Sequence, residues 1–598
     1  MTIDDHRKWW KEGVVYQIYP ASFADSNGDG IGDLPGIASK LDYIQSIGVD
    51  VIWICPMYDS PQVDMGYDVS DYGNVYPPYG TVADMESLIR ECHSRGMRLL
   101  LDLVVNHTSD QHKWFQESRS SRDNPKRDWY IWRPAKYVNG VRKPPNNWMS
   151  NFGGSVWQWD EKTQEYYLHL FCPEQPDLNW ENEETRKAIF EHAMEFWLKR
   201  GVDGFRVDTV NMYSKGVAME DAPITDPGSE WQFAGMQYCN GPRMHEFLSE
   251  MNVILSKYGA MTVGECPNTP DPAKVLKYVS AAEKQLDMVF QFDVVDIGQG
   301  PYKFQTTPFN WKLPELKAAI SVTQNIIRGT DAWTTAFIEN HDQSRSISRF
   351  ASDAPEHRIA SGKMLAMMMM GLSGTLFIYQ GQELGMINFP LHWEMDEYKD
   401  VDSSNYYNMV KERSNGDPDA LASAKLALNH LSRDHSRVPM QWDESKHGGF
   451  TTGTPWMRVN DDYPICNAKH QQSDNKSVLA FWRKMLSMRR QYRDLFVYGN
   501  FDVVDEANEK LFCFTKEWKG EKALVVLNFT STVQPFEVSG LAAAKKVQLV
   551  SSTVEERWWL RDEVAVVRGA YACDDGDAEG YRLIELEETG SDTETVPI

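Results

Sequence analysis

Residues 98–106 read RLLLDLVVN and residues 204–210 read GFRVDTV, and most positions in both runs are apolar. Such runs are typical of strands that are buried on both faces of a parallel sheet. Amphipathic helical patterns lie between runs of this kind. IASKLDYIQSIG at 37–48 and MESLIRECHSRG at 85–96 each end in a glycine that can cap a helix. Strands that alternate with helices predict an α/β protein.

Six further apolar runs continue this alternation, at 13–20, 49–56, 261–267, 287–292, 334–342 and 374–383. Eight strand–helix units over about 400 residues predict a (β/α)8 TIM barrel. An open, doubly wound sheet is the alternative architecture, but no GxGxxG motif follows any of the predicted strands.

Two long intervals interrupt the alternation. Residues 107–178 are rich in Trp, Tyr, Pro, Asn and Gly and show no clear helix, and they are too many for a structureless loop. We therefore predict a small inserted domain B at 107–178, after strand three. The catalytic barrel, domain A, would comprise 1–106 and 179–496, with a subdomain at about 384–450.

The pattern changes after a predicted helix at 477–492. The segments KLFCFTKEW, KALVVLNF and YRLIELEE are typical of antiparallel strands. Residues 497–598 are accordingly predicted to form a C-terminal antiparallel β-sandwich, domain C.

Charge and cysteine content restrict the class of protein. The 598 residues include 61 Lys plus Arg and 86 Asp plus Glu, a net charge of −25, which disfavours nucleic acid and anionic membranes as partners and fits a small neutral substrate. The eight cysteines are scattered without a CxxC pair, so neither a disulfide framework nor a zinc site is expected. The N-terminus lacks a signal-like apolar region, and the apolar run from Met364 is too short to span a bilayer. We therefore expect a cytoplasmic protein.

Polar and ionisable residues collect where the predicted strands end. In a (β/α)8 barrel, the carboxyl ends of the strands carry the functional groups. A carboxylate at one strand end is usually a cap or an ion-pair partner, but several strand ends with such groups indicate a site. Two carboxylates at one barrel mouth suit glycoside chemistry, in which one attacks the anomeric carbon and one protonates the leaving oxygen. The residues concerned are Asn106, His107, Arg206, Asp208, Glu265, His341 and Asp342.

Six segments, in this order, resemble the successive signatures of glycoside hydrolase family 13, the α-amylase family. They are QIYPASFADSNGDGIGDLPGI, DLVVNHTS, QPDLNW, GFRVDTV, TVGECP and FIENHDQSRS. The segments QPDLN, DMGYD and SRVPMQW, together with the long insert, make the chain most similar to the maltase/isomaltase branch of that family. The resemblance implies a retaining hydrolase whose substrate is a small neutral oligosaccharide. It also implies that the protein is a monomer or a homodimer.

The resemblance also assigns the catalytic roles. Asp208 matches the nucleophile, Glu265 the general acid/base, and Asp342 the carboxylate that binds sugar hydroxyls. Arg206 lies two positions before Asp208 and shares its side of the strand, so we expect it to keep Asp208 ionised. Glu265 must hold a proton until it donates it, which requires a raised pKa. Retention implies that the carboxyl groups of Asp208 and Glu265 are roughly 5–5.5 Å apart.

Further positions match the family's sugar-binding residues. Asp64 and Arg437 match a pair that grips the non-reducing end and closes the pocket, which implies exo-action on terminal glucose. Tyr67 matches the platform on which the first glucose stacks. The remaining matches are the hydroxyl binders His107 and His341 and the pocket-lining residues Phe171 and Gln175, while Asn106 is expected to be a local support.

Thr209, the residue after the nucleophile, bears on the linkage that is cleaved. In this branch Val there accompanies α-1,6 cleavage, and Thr or Ala accompanies α-1,4 cleavage. We therefore expect a maltase-type α-glucosidase that acts on maltose, short maltooligosaccharides and sucrose. The segment Val210–Met212 departs from the smaller residues often found there, which leaves the balance of hydrolysis and transglucosylation open. An α-1,6-specific isomaltase and a glucosyl-isomerising enzyme of the same fold are the alternatives.

A loop near the N-terminus has the oxygen donors of a calcium site. DSNGDGIGD places side-chain oxygens at alternate positions, as at the start of an EF-hand loop, but Gly36 stands where an EF-hand has its bidentate Glu. The resemblance implies one structural Ca²⁺ instead. Its ligands would be Asp25, Asn27, Asp29, the main-chain carbonyl of Ile31, and Asp33.

Overall fold

The computed structural model describes residues 7–216, 218–300, 303–304, 311–532 and 534–537, and four later strands of the C-terminal part by their backbone. Eight parallel strands form one sheet, in the order β6-β5-β4-β3-β2-β1-β8-β7. They are β1 Val14–Ile18, β2 Val51–Ile54, β3 Arg98–Leu103, β4 Gly204–Val207, β5 Met261–Glu265, β6 Met288–Phe290, β7 Thr335–Ala336 and β8 Thr375–Tyr379. All eight predicted runs contain a strand.

The sheet curls until its two edge strands meet. The Thr335 hydroxyl on β7 donates to the carbonyl of Val289 on β6 at 3.1 Å, which links the edges of a nearly closed barrel. The helices that cover the strands are Leu34–Ser39, Leu41–Ile47, Val82–Ser94, Glu183–Ile189, Met244–Tyr258, Pro272–Val279, Leu313–Asn325, Arg358–Gly371 and Val478–Gln491. The prediction of a TIM barrel is confirmed.

Helix boundaries match the sequence signals with one difference. The helix expected at 37–48 is two helices, which part at Lys40, where the backbone is not helical (φ −109°, ψ 6°). Gly48 follows the second helix with φ 105°, a left-handed conformation that costs glycine little. The apolar run from Met364 continues a barrel helix into β8. None of the helices in the described part of the chain has the length and apolar character that a bilayer span needs.

The two long intervals carry structure of their own. Residues 107–178 contain one short α-helix, Lys113–Ser118, a 3₁₀ turn at Arg127–Trp129, and a three-stranded antiparallel sheet of Trp132–Arg133, Glu165–Leu168 and Trp157–Asp160. The interval after β8 contains the helices Val401–Arg413 and Pro418–Leu431, which its composition did not predict. No observation tests the predicted domain boundaries.

The C-terminal strands are antiparallel, as expected. One sheet joins Asn500–Val504, Leu511–Trp518, Glu521–Asn528, Arg582–Glu588 and Ala544–Ser552 in that order. A second sheet joins Gln534–Glu537, Val564–Val567 and Leu560–Arg561.

Candidate active site

Two carboxylates share one arginine at the carboxyl ends of β4 and β5. In the parallel register Val207 lies opposite Gly264, so the next residues, Asp208 and Glu265, are neighbours. Nη1 of Arg206 is 2.6 Å from Oδ1 of Asp208, and its Nη2 is 2.9 Å from Oε2 of Glu265. The structure thus brings the predicted nucleophile and the predicted acid/base together on one guanidinium.

Asp102 is a third carboxylate on the same guanidinium, which the sequence analysis missed. Its Oδ1 lies 2.7 Å from Nη1 of Arg206, and its Oδ2 accepts from Nε1 of Trp53 at 3.0 Å. The signal was present in RLLLDLVVN, because an Asp in the middle of an apolar strand violates the strand's own pattern.

Burial and a single cation determine the protonation of this group, which we call the Arg206 cluster (Asp102, Arg206, Asp208 and Glu265). Burial raises the pKa of Glu265 to about 7, as the sequence analysis expected. Burial also raises the pKa of Asp208 to about 7, although Arg206 opposes this. Arg206 favours the ionised form of Asp208, as expected, but burial acts against it, and the one guanidinium is shared by three buried carboxyls.

Thr209 has a strained backbone next to the nucleophile. Its φ of 38° and ψ of 44° are left-handed, an unusual conformation for a β-branched residue. This conformation directs its amide N–H at Oε2 of Glu265 (3.2 Å), while its hydroxyl donates to Oδ2 of Asp208 (3.3 Å). Thr209 therefore contacts both of the carboxyls that are predicted to be catalytic, besides its predicted position in the substrate pocket.

His341 and Asp342 follow β7 and complete the predicted carboxylate trio. Nε2 of His341 is 3.0 Å from Oδ2 of Asp342 and 2.6 Å from the Tyr67 hydroxyl. The rings of Tyr67 and His341 are stacked, with centroids 5.3 Å apart and planes 7° from parallel. Burial lowers the pKa of His341 to about 4, so the ring is neutral at pH 7.

Two arginines bind Asp342 from the segment after β8. Oδ1 of Asp342 accepts from Nη1 of Arg433 at 3.0 Å and from Nη2 of Arg437 at 2.9 Å. Although burial opposes it, these cations and His341 hold the pKa of Asp342 well below its ordinary value. Asp342 is therefore a fixed negative charge, unlike Asp208 and Glu265.

Asp64 has a different partner from the one predicted. Its Oδ1 pairs with Nη2 of Arg433 at 2.9 Å, and the expected Asp64–Arg437 pair is not formed. Arg433 precedes the single helical turn Asp434–Arg437 and Arg437 ends it, so the two arginines lie on one face and both reach Asp342 and Asp400. Asp400 lies 2.6 Å from Nε of Arg433 and 3.5 Å from Nη1 of Arg437. The sequence analysis predicted neither Arg433 nor Asp400 as a site residue. Nothing in the sequence distinguishes them from residues of a surface ion pair; their burial in the structure does.

The remaining predicted pocket residues line the side formed by the insert. Nε2 of Gln175 donates to Oδ2 of Asp64 at 3.1 Å. Nε2 of His107 is 3.0 Å from the carbonyl of Tyr67, and its ring lies 5.1 Å from that of Phe171. Asn106 contacts Nδ1 of His107 at 3.2 Å through its own side chain, which agrees with a supporting role.

The family model for the α-amylase catalytic domain matches residues 17–499. The chain belongs to the α-amylase family of glycoside hydrolases. An α-glucosidase of Candida albicans is 54% identical over 536 residues, which cover 89% of this chain and 94% of that protein. An oligo-1,6-glucosidase of Saccharomyces cerevisiae is 47% identical over 553 residues, which cover 90% of this chain and 93% of that protein.

Solved structures of other members of the α-amylase family have the same fold over almost the whole chain. Trehalose-6-phosphate hydrolase of Bacillus licheniformis superposes with a TM-score of 0.87 at 38% identity and covers 97% of this chain and 100% of its own. Isomaltulose synthase of Protaminobacter rubrum superposes with a TM-score of 0.89 at 36% identity, with the same coverage.

The predicted calcium loop folds around its own side-chain oxygens. Oδ1 of Asp25 accepts from the amide of Gly28 (2.7 Å), and Oδ1 of Asp29 accepts from the amide of Ile31 (2.8 Å). Asp33 caps the next helix through Oδ1 and binds Ser26 through Oδ2. In the described residues no three carboxylate, imidazole or thiol side chains cluster as metal ligands. The oxygens suit Ca²⁺ in kind, but both oxygens of Asp33 are already engaged.

Cys266 follows Glu265 but has no exposed thiol. It is buried, and burial raises its pKa to about 12, so the thiolate that reacts with electrophiles is scarce. All seven cysteines in the described part of the chain are free and buried.

Proposed function

We propose that the protein is an exo-acting, retaining α-glucosidase that releases terminal α-D-glucose from maltose and short α-1,4-linked oligosaccharides, with sucrose as a further substrate. The observation that carries the proposal is the contact of one guanidinium, that of Arg206, with both Asp208 and Glu265. The similarity to curated α-glucosidases over nine-tenths of the chain supports the same substrate class.

The two carboxyls are suited to double displacement. Asp208, ionised, attacks the anomeric carbon while Glu265, protonated, donates its proton to the leaving oxygen. Glu265 then removes a proton from water, which attacks the β-glucosyl ester on Asp208 and restores the α-configuration. Transfer of the glucosyl group to a sugar hydroxyl in place of water gives transglucosylation by the same step.

Buried ion pairs beside the site carboxylates support exo-action. Asp64 is held by Arg433 and Gln175, and Arg433 also binds Asp342 and Asp400. These buried pairs join the segment after β2 to the segment after β8. A pocket closed at this end would admit a terminal glucose and exclude the interior of a polysaccharide chain.

Release of glucose from maltose, isomaltose, nigerose, sucrose and trehalose tests the proposal. We expect maltose to be cleaved faster than isomaltose and the first product to be α-glucose. Asp208→Asn is the catalytic variant, and its activity should fall by about 10⁴-fold or more, as when other enzymes lose their nucleophile. Glu383→Gln is the matched control, since Glu383 is equally buried but binds Tyr16 and Tyr43 outside the site. Full activity in Asp208→Asn would contradict the mechanism.

An α-1,6-specific glucosidase is the second candidate, because relatives at 47% identity are named oligo-1,6-glucosidases. By resemblance, Thr209 favours cleavage of the α-1,4 linkage. Its hydroxyl contacts Asp208, the proposed nucleophile, so it would lie close to the glycosidic bond that is cleaved. Faster cleavage of isomaltose than of maltose would support the second candidate. Formation of isomaltulose from sucrose would instead indicate a glucosyl-isomerising enzyme.

We also propose that the loop of Asp25, Asn27, Asp29 and Asp33, with the carbonyl of Ile31, would hold one structural Ca²⁺. Chelation should then lower the melting temperature, and added Ca²⁺ should restore it. Asp29→Asn, which removes one charged ligand, should melt at the lower temperature with or without chelator. An unchanged melting temperature after chelation would contradict the proposal.

A further inference from the structure

Gln17 is a polar residue in the apolar strand β1, and it lies directly beneath His341. Its side chain is buried, and its Nε2 is 2.7 Å from Nδ1 of His341 and 3.2 Å from Sγ of Cys55. A buried amide is costly unless it is hydrogen-bonded, so the side chain of Gln17 needs its contact with His341.

The opposite side of the ring determines where its proton lies. Nε2 of His341 faces Oδ2 of Asp342, whose other oxygen accepts from two guanidiniums, so Asp342 is an ionised acceptor. The Tyr67 hydroxyl, also next to Nε2, donates its own proton to Oδ2 of Asp102 at 3.2 Å and so can accept from the ring. Both neighbours of Nε2 therefore require a proton on that nitrogen.

A neutral ring with its proton on Nε2 has a bare Nδ1, which only accepts. The group at 2.7 Å must then be a donor, and the amide NH₂ of Gln17 is one. The other charged groups that face the ring are Arg206 and Arg437. Both disfavour a second proton on the ring, as burial does.

We propose that Gln17 is a positioning residue that holds His341 in the tautomer protonated at Nε2, so that the ring donates to a substrate hydroxyl beside Asp342. A hydroxyl that lies beside both side chains can accept from His341 and donate to Asp342. With the proton on Nδ1, Nε2 and Asp342 would both be acceptors, and one hydroxyl proton could not satisfy both. The inference rests on the proposed function only in that the hydroxyl belongs to a glucoside.

Gln17→Glu is the decisive variant, because a carboxylate only accepts and so requires a proton on Nδ1. The ¹⁵N spectrum of the imidazole nitrogens, with the His341 signals assigned by their loss in His341→Asn, reports the tautomer directly. We expect Nε2-protonated His341 in the wild type and Nδ1-protonated or doubly protonated His341 in Gln17→Glu. We expect kcat/KM for maltose to fall by about 10²-fold, as when one preorganised donor is lost.

Gln17→Met keeps the shape of the side chain without its donor and should give an intermediate loss. Gln380→Glu is the matched control: Gln380 is equally buried and follows the neighbouring strand β8, but it binds the amide of Tyr19. It should keep the wild-type His341 spectrum. If Gln17→Glu does not fold, the wild-type spectrum and Gln17→Met remain.

A wild-type ring protonated on Nδ1, or wild-type kcat/KM in a folded Gln17→Met or in a Gln17→Glu whose His341 is protonated on Nδ1, would overturn the proposal. A wild-type protein that cleaves no α-glucoside would instead refute the proposed function. The ¹⁵N spectrum needs no activity, so the two failures are distinguishable.

Discussion

Two clusters of buried charge make up the candidate site, and they differ in their ratio of cations to carboxylates. The Arg206 cluster has one guanidinium for three carboxyls, and burial raises the pKa of Asp208 and of Glu265 to about 7. The second group, which we call the arginine-pair cluster, has two guanidiniums for three carboxyls: Arg433 and Arg437 with Asp64, Asp342 and Asp400.

The difference separates proton transfer from binding. In the arginine-pair cluster, cations hold the pKa of Asp342 and of Asp400 below the ordinary value despite their burial, whereas burial raises the pKa of Asp64 to about 6. Asp342 and Asp400 therefore stay charged and suit the gripping of sugar hydroxyls. Carboxyls with a pKa near 7 exchange a proton at little cost, which general acid/base chemistry requires.

Among the changes that test this comparison, removal of the proton donor Glu265 should have the largest effect on activity. In Glu265→Gln we expect kcat/KM for maltose to fall by about 10²–10⁴-fold, because the leaving glucose departs without a proton. An aryl α-glucoside with an acidic leaving group needs no proton and should lose far less in its first step. Steady-state kinetics on both substrates checks this, with Glu383→Gln as the control. Equal losses on the two substrates would contradict the role of Glu265 as the acid.

Loss of Arg433 should disrupt the arginine-pair cluster and leave the Arg206 cluster intact. In Arg433→Met we expect KM for maltose to rise about ten- to a hundred-fold, or about 1.4–2.8 kcal/mol, because Asp64, Asp342 and Asp400 lose their shared partner. Removing one partner of a buried ion pair also destabilises, here by about 3–5 kcal/mol.

Arg458→Met is the control for this change, since Arg458 forms an exposed pair with Asp461. Kinetics and thermal melting measure both effects. If the melting temperature falls but KM is unchanged, Arg433 has only a structural role, and the proposed role in binding is contradicted.

The smallest effect concerns pH. Activity needs one proton on the Asp208–Glu265 pair, so kcat/KM should follow a bell with its maximum near pH 7, and both limbs belong to the pair. Asp102→Asn removes a neighbouring negative charge that raises the pKa of Asp208. We expect the acid limb to move to lower pH, because Asp208 then ionises more readily. If the acid limb moves to higher pH or does not move, the negative charge of Asp102 does not raise the pKa of Asp208, and the prediction is contradicted.

Much of the site could be predicted from local pattern. Arg206, Asp208 and Glu265 interrupt apolar strands, and strand ends converge in a barrel, so their proximity follows from the fold class. Gln17 and Asp102 interrupt strands in the same way, and the same criterion would have found them. Arg433 and Asp400 precede helices in the long interval after β8. Charged residues are common at such positions, and the partners of these two are distant in sequence.

Local sequence patterns specify the eight strands, the helices between them and the carboxylates at the strand ends, because hydrophobic periodicity and its violations depend on neighbouring residues. Three features arise only from tertiary contacts: which arginine meets Asp64, how three carboxyls share Arg206, and the left-handed backbone of Thr209. These depend on the distances between segments that the barrel brings together. Charge ratio and burial, which set the pKa values, exist only once those segments have met.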